Sequence, residues 1–218
     1  MKKIMFNEQY GLQSAVLERR KTMTRRAIVH PKHFRGHDDV VLEFRRRPGA
    51  DFCFDCVVLD ADDHELGQLP LPYEVGDVVA IAQSYKDAGI SPTEVVGVKD
   101  YGQNMFKPIF ASESAGWKNK MYVRADLMPH HIRITDLWFE RLQEISDDDC
   151  LKEGVFLDTT ARKCYQPYYT FVGSMEEDCP CGYPTPREAF AALIDKISGP
   201  NTWHNNPWVV AYTFELVD

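Results

Sequence analysis

Five cations fall within one short stretch, Arg19-Arg20-Lys21-Thr22-Met23-Thr24-Arg25-Arg26, with two threonine hydroxyls among them. A lysine beside other cations holds its proton less tightly. One like charge at about 6 Å, in an effective dielectric of about 20, costs about 3 kcal/mol, or about two pKa units. A partly buried Lys21 can therefore act as a base, whereas solvent exposure erases most of the effect. Thr22 and Thr24 are natural donors to a phosphate or a carbonyl. The plainer alternative is a solvated basic helix end that complements its own dipole.

Geometry adds a condition. In a continuous strand, Lys21 and Thr24 face opposite sides, because their offset is odd. At a helix end or turn an i,i+3 pair shares a side. A lysine–threonine partnership therefore requires a helix-to-strand junction inside the stretch. Over residues 10–20, Leu12, Ala15, Val16 and Arg19 recur at helical spacing, so a helix is expected to end near Lys21. Thr22 and Thr24 then favour extended backbone.

Beyond the junction the chain reads as many short strands and few helices. Strand-like runs are Val40–Phe44, Phe54–Leu59, Val78–Ala82, Glu94–Val98, Met121–Ala125, His131–Leu137 and Trp208–Leu216. Two helices carry start signals. Thr185-Pro186-Arg187-Glu188 offers an N-cap, a first-turn proline and a capping-box glutamate. Phe190, Leu193, Ile194 and Ile197 follow as an apolar stripe, and Gly199-Pro200 ends it. Ser146-Asp147-Asp148-Asp149 opens a shorter helix that Gly154 closes. Glu153 stands in its last turn, where the dipole disfavours a carboxylate; the plain expectation is that it points into water. The region 155–184 reads as loop. Without β-α-β alternation, the pattern argues an α+β fold on a β-barrel or strongly curved sheet.

Composition narrows the function. The 218 residues are 44% hydrophobic, enough for one domain with a sizeable core. A net charge of −8 argues against nonspecific coating of nucleic acid, which rests on phosphate neutralisation. Cations bunched on an acidic chain, here and at Arg45-Arg46-Arg47, suit focused recognition of a small anion, a nucleotide or a short strand. No apolar run reaches membrane-spanning length, and the opening Met1-Lys2-Lys3 lacks an apolar stretch behind it. A cytoplasmic protein that does not contact membrane is expected. The six cysteines, Cys53, Cys56, Cys150, Cys164, Cys179 and Cys181, are then expected as thiols. The pairing of Cys53-Phe-Asp-Cys56 with Cys179-Pro-Cys181 is a poor zinc pattern, so no metal is expected.

Taken in order, several segments resemble the ASCH-domain family, a branch of the PUA-like superfamily, in the form carried by phages and prophages. They are Glu18-Arg-Arg-Lys-Thr-Met-Thr-Arg-Arg26, similar to the family's G-R-K-T-x-T-x-R segment, and Val75-Gly76-Asp77-Val78-Val79 with Ala82-Gln83-Ser84-Tyr85. Met128-Pro129-His130-His131-Ile132-Arg133-Ile134 leads into Glu140–Asp149 and Glu153-Gly154, and Asn206-Pro207-Trp208 precedes the last strand. Arg19 stands where many relatives have glycine, and Ser84-Tyr85 where another aromatic is commoner.

The resemblance implies a PUA-like β-barrel with flanking helices. It covers 1–218 as one domain, with insertions at about 27–70, 86–118 and 155–184. It implies binding of RNA, a nucleotide or a modified nucleoside, without a cofactor. Small bacterial members are amidohydrolases on N4-acetylcytidine, and their catalytic residues map to Lys21, Thr24 and Glu153. Thr24 is then the nucleophile or positions a water, Lys21 takes the proton, and Glu153 binds the base or shuttles the proton. Arg20, Thr22, Arg25, Arg26, Gln83, Ser84, Tyr85 and Trp203 are the expected ligand-binding residues. Tyr85 or Trp203 would stack on the base, and Arg25 and Arg26 would hold a phosphate. A third reading is a phage accessory protein that binds a host protein through 155–184.

Overall fold

The computed structural model describes residues 1–46, 54–90, 115–159, 168–174 and 182–217. In chain order the elements are β1 (Lys3–Ile4), α1 (Leu12–Leu17), β2 (Met23–Ala27), β3 (His33–Phe34), β4 (His37–Asp38), β5 (Val41–Arg46), β6 (Phe54–Leu59), β7 (Glu65–Leu69) and β8 (Val78–Ile81). They continue with β9 (His131–Arg141), α2 (Asp147–Lys152), β10 (Phe156–Asp158), β11 (Tyr168–Thr170), α3 (Pro186–Ser198), α4 (Thr202–Asn205) and β12 (Trp208–Leu216). The chain divides into two compact units. One comprises Met1–Phe6, Val78–Arg133 and Leu216–Asp218, and the other Asn7–Asp77 and Ile134–Glu215.

In the first unit β1 runs parallel to β8, with Lys3 opposite Ala80, and β8 runs antiparallel to the start of β9. Its core gathers Ala80, Ala82, Tyr85, Val123 and Met128. The expected strand over Met121–Ala125 is instead two 3-10 turns, Lys120–Tyr122 and Ala125–Leu127. Side-chain bonds, one local and two from Lys3 far away in sequence, account for this. The Asn119 side chain accepts from Met121 N, and Lys3 Nζ donates to the Met121 and Val123 carbonyls at 2.7 and 2.8 Å. Those carbonyls are thereby satisfied without a neighbouring strand. The expected strand Glu94–Val98 lies outside the described residues.

Among the described residues, the second unit holds the remaining strands and the four α-helices. β2 pairs antiparallel with β12, and Thr24 stands opposite Tyr212. β5, β6 and β7 form an antiparallel three-stranded sheet, and β3–β4 and β10–β11 are two-stranded. The pairing of β10 with β11 puts sheet into a region expected to be loop. The α+β class holds, but the expected β-barrel does not: the described strands form open sheets, and none closes on itself. β2 shows why, since its outer side is covered by the end of α2 and by side chains rather than by another strand.

The expected helix starts and the last strand are found where the sequence puts them. The Thr185 side chain accepts from Glu188 N at the start of α3, and Ser146 accepts from Asp149 N at the start of α2. Phe190, Leu193 and Ile194 are buried, and Gly199 ends α3. β12 spans the expected residues and buries Val209, Val210, Ala211, Tyr212 and Phe214.

Candidate functional site

The basic stretch is a junction, and its geometry follows from how α1 ends. Leu12, Ala15 and Val16 bury one face of α1. Arg19 then takes a left-handed φ of 61°, and the amides of Arg20 and Lys21 both donate to Ala15 O, at 2.8 and 2.9 Å. This wide, Schellman-type turn stops the helix at Leu17, short of the end expected near Lys21, and swings Lys21 inward. Thr22 N donates to Lys152 O, the end of α2, while Thr22 O accepts from Phe214 N. The chain entering β2 is thus held between the C-terminus of α2 and β12. Gly154, at φ 111°, lets the chain leave α2 here; a Cβ would come within 2.9 Å of Leu12.

The Lys21 ammonium ends at the outer side of β2. Its three hydrogens match three acceptors: Met23 O at 2.7 Å, Glu153 O at 2.7 Å and Glu153 Oε2 at 2.6 Å. Only 2% of the lysine is exposed. Glu153 does not point into water. It is buried, and its other oxygen accepts from Arg25 Nη1 at 3.2 Å. The dipole conflict at the end of α2 is therefore answered by two cations rather than by solvent.

Arg25 extends the network. Its Nε donates to Glu140 Oε1 at 2.6 Å, and its Nη2 meets Asp149 Oδ2 at 3.3 Å. Glu140 Oε2 accepts from the Trp138 indole N–H at 2.8 Å, and Lys152 bonds Asp149 Oδ1 at 2.9 Å. Three cations (Lys21, Arg25 and Lys152) thus face three carboxylates (Glu140, Asp149 and Glu153). Burial pushes the Lys21 ammonium below its ordinary pKa of 10.5. Glu153 pulls it back in part, and Arg26 and Arg25 add smaller downward pushes. The sequence argument had the direction and made the neighbouring cations the cause; desolvation is the larger one. Burial alone would raise Asp149, but Lys152 and Arg25 hold it below the usual carboxylate range. Burial opposes the charge on Arg25, and Glu153 and Glu140 outweigh it and raise its pKa.

Strand alternation assigns the other side chains. Met23 and Arg25 occupy one face of β2, and Thr24 and Arg26 the other. Thr24 is buried opposite Tyr212, whose ring meets Tyr73 edge-on with centroids 5.6 Å apart. Lys21 sits at the strand's outer side, bonded to the Met23 carbonyl. Arg26, on the Thr24 face, is half-buried, and its charge acts on Lys21, Tyr73 and Tyr212.

Neither a family model, nor a curated protein, nor a solved structure matches this chain. The residues must therefore speak for themselves. Lys21 and Glu153 are brought into direct contact, and Arg25 joins them as a partner of carboxylates. Arg20 stays outside, exposed and paired with Glu18 at 2.7 Å. Thr22 acts through its backbone. Trp203 packs edge-on against Phe190 beneath the Arg187 guanidinium, and its carbonyl accepts from Gln143 at 2.7 Å. Gln83, Ser84 and Tyr85 are buried in the first unit. There Ser84 bonds Asp87, and the Tyr85 hydroxyl accepts from Arg124 N at 2.9 Å.

The sequence reading gave Glu140, Asp149 and Trp138 no place in the site. The strand was expected to stop at Leu137, short of Glu140, and Asp149 was read only as a first-turn acid. Cys56 and Cys150 are buried free thiols, and burial pushes them up to about 11 and about 12. Cys53, Cys164, Cys179 and Cys181 lie outside the described residues. Among those residues, no helix is long and apolar enough to cross a membrane.

Proposed function

We propose that this chain is an ASCH-type protein that binds a modified nucleoside and hydrolyses its exocyclic amide, with Lys21, Glu153 and Thr24 as the working residues. The observation that carries this reading is the buried contact of Lys21 Nζ with Glu153 Oε2 at 2.6 Å, between residues far apart in sequence. A lysine whose pKa burial lowers, in direct contact with a carboxylate, is placed to pass a proton. In the reaction, water or the Thr24 hydroxyl adds to the acyl carbonyl. The C–N bond breaks, the amino group of the base leaves with a proton passed through Lys21 and Glu153, and the acyl group ends as a carboxylate. If Thr24 is acylated, a second addition by water releases it.

The burial pattern favours a small ligand over a long RNA. Of the five cations in the basic stretch, Lys21 and Arg25 are buried and Arg26 is half-buried. Only Arg19 and Arg20 are exposed, and Arg20 is paired with Glu18. A phosphate-tracking surface needs its cations in solvent.

The test is incubation of the full chain with N4-acetylcytidine, following cytidine and acetate by chromatography. Wild type is expected to release both, and Lys21→Met to release neither above background. No release by wild type would remove the hydrolase reading. A second reading, binding without turnover, draws on the fact that all three Lys21 hydrogens already have acceptors within the protein. It predicts saturable binding of the nucleoside with no product.

A further inference from the structure

We infer that Glu140, held by the Trp138 indole, positions the Lys21–Glu153 pair, acting through Arg25 across β12. The role rests on the proton transfer given to that pair above and does not involve Thr24.

The order of the strands makes the reach possible. β12 lies between β9 and β2 in the sheet. Arg25 pairs across strands with Ala211 of β12, so the two side chains stand on one face. Ala211 is buried and offers only a methyl there. The long Arg25 side chain passes over it and meets β9 at Glu140, Nε to Oε1 at 2.6 Å. On β9, alternation puts Trp138 and Glu140 on one face and Phe139 on the other. Phe139 stacks on Phe44 with centroids 4.4 Å apart, and Phe44 also meets Trp208, which lies on the face of β12 away from Ala211. Glu140 is thereby turned toward Arg25. Trp138 Nε1 donates to Glu140 Oε2 at 2.8 Å, so both oxygens of this carboxylate are engaged.

Glu153 has one oxygen for each cation. Oε2 takes Lys21 at 2.6 Å, and Oε1 takes Arg25 Nη1 at 3.2 Å. A guanidinium left to itself grips a carboxylate through two N–H groups at once. Arg25 doing so would take Oε2 as well and displace Lys21. The anchor on the other side of the guanidinium prevents this. Of the three carboxylate contacts of Arg25, that to Glu140 is the shortest, against 3.2 Å to Glu153 and 3.3 Å to Asp149. The Arg25 side chain is 1% exposed, so it cannot exchange these partners for water. Glu140 thus holds Arg25 where Oε2 is left to Lys21. It acts on the pair through another residue and is a positioning residue. Burial lowers the proton affinity of Lys21, Glu153 raises it, and Arg26 and Arg25 lower it further. Arg25 drawn onto Glu153 weakens the upward pull and strengthens a downward one. Without Glu140 the lysine must therefore lose its proton at lower pH.

The experiment compares full-length wild type, Trp138→Phe, Glu140→Gln, Glu140→Asp and Lys21→Met, with circular dichroism to check folding. The chemical shift of the lysine ε-carbon, titrated with pH, gives the midpoint of Lys21, whose signal is the one missing in Lys21→Met. Turnover of N4-acetylcytidine gives kcat and KM. Glu140→Gln is expected to move the Lys21 midpoint to lower pH and to lower kcat by about 10- to 100-fold, with KM within about twofold. Trp138→Phe keeps every charge and is expected to move both the same way by less. Glu140→Asp keeps the charge but draws the carboxylate back by one methylene, and is expected to behave as Glu140→Gln does. A merely structural role lowers stability and leaves midpoint and kcat of the folded variants at their wild-type values. Either one unmoved in folded Glu140→Gln would overturn the inference. Glu140→Asp matching wild type in both would overturn it equally, since charge without placement would then suffice. Should both Glu140 variants fail to fold, the midpoint in Trp138→Phe decides. A wild type that releases no cytidine would instead remove the hydrolase reading, and the Lys21 midpoints would still decide whether Glu140 positions the pair.

Discussion

Arg25 and Arg45 are chemically the same residue in the same kind of setting, a strand of the second unit with carboxylates in reach. Arg25 meets Glu140, Asp149 and Glu153 at 2.6 to 3.3 Å, and Arg45 meets Glu43 at 2.5 Å and Glu65 at 2.9 Å. Distances alone would rank the exposed group at least as high. Solvent reverses the ranking, since the Arg25 side chain is 1% exposed and that of Arg45 is 45%. Around Arg45, water competes for every hydrogen bond and salt screens the charges. Around Arg25, each charge has been stripped of water and depends on its partners. Two clusters of arginine that look alike in sequence therefore differ in what each residue is worth.

The largest effect expected from this difference is at Glu153. Glu153→Gln removes the carboxylate that faces both Lys21 and Arg25 and leaves two buried cations short of a counter-charge. Breaking one side of a buried pair costs about 3–5 kcal/mol. Urea denaturation should show a loss of that size. Replacing both partners, in Lys21→Met with Glu153→Leu, should recover a good part of it, because the desolvated charges leave together. A Glu153→Gln variant as stable as wild type would mean that the network is not buried in solution.

A smaller effect concerns pH and isolates Lys21. Its pKa in the folded chain lies below the ordinary 10.5. Between those two values the unfolded chain holds a proton that the folded chain has released. Stability must then rise with pH across that window and level off above 10.5. Lys21→Met cannot show this term. Wild-type stability minus that of Lys21→Met is thus expected to increase as the pH rises toward 10.5 in matched urea titrations. A difference that falls over that range would mean that Glu153 raises Lys21 more than burial lowers it.

Lys21 also marks how far the sequence could be read. The junction itself was legible: the helix stripe Leu12, Ala15, Val16 gives way to Thr22 and Thr24, and α1 followed by β2 is what the chain forms. So were the caps at Ser146 and Thr185, because a cap is a bond between near neighbours. Sheet closure was not legible. Alternation in β2 and β12 says which faces are buried but not what covers the outer side of β2, and there the end of α2 replaces a strand. The sense of Glu153 was not legible either. A carboxylate at a helix C-terminus looks solvent-bound unless one knows that Lys21 and Arg25 arrive from more than a hundred residues earlier. The resemblance that joined Lys21 to Glu153 supplied what local rules could not. Of the two aromatics it named for stacking, Tyr85 is buried in packing and Trp203 is half-buried against Phe190.

The smallest effect is the control that makes the comparison meaningful. Arg45→Gln removes a cation with two carboxylate partners, as many contacts as many buried arginines make. Each partner is about half exposed and regains water when the guanidinium goes. The urea midpoint is expected to stay within error of wild type at about 0.15 M salt, where charges further apart than about 8 Å hardly feel one another. At low salt a slight loss should emerge, since Glu43 and Glu65 then repel across β5 and β7 without a cation between them. A loss at 0.15 M salt approaching that of Glu153→Gln would show that burial does not separate the two clusters. The distances around Arg45 would then have to be taken at face value.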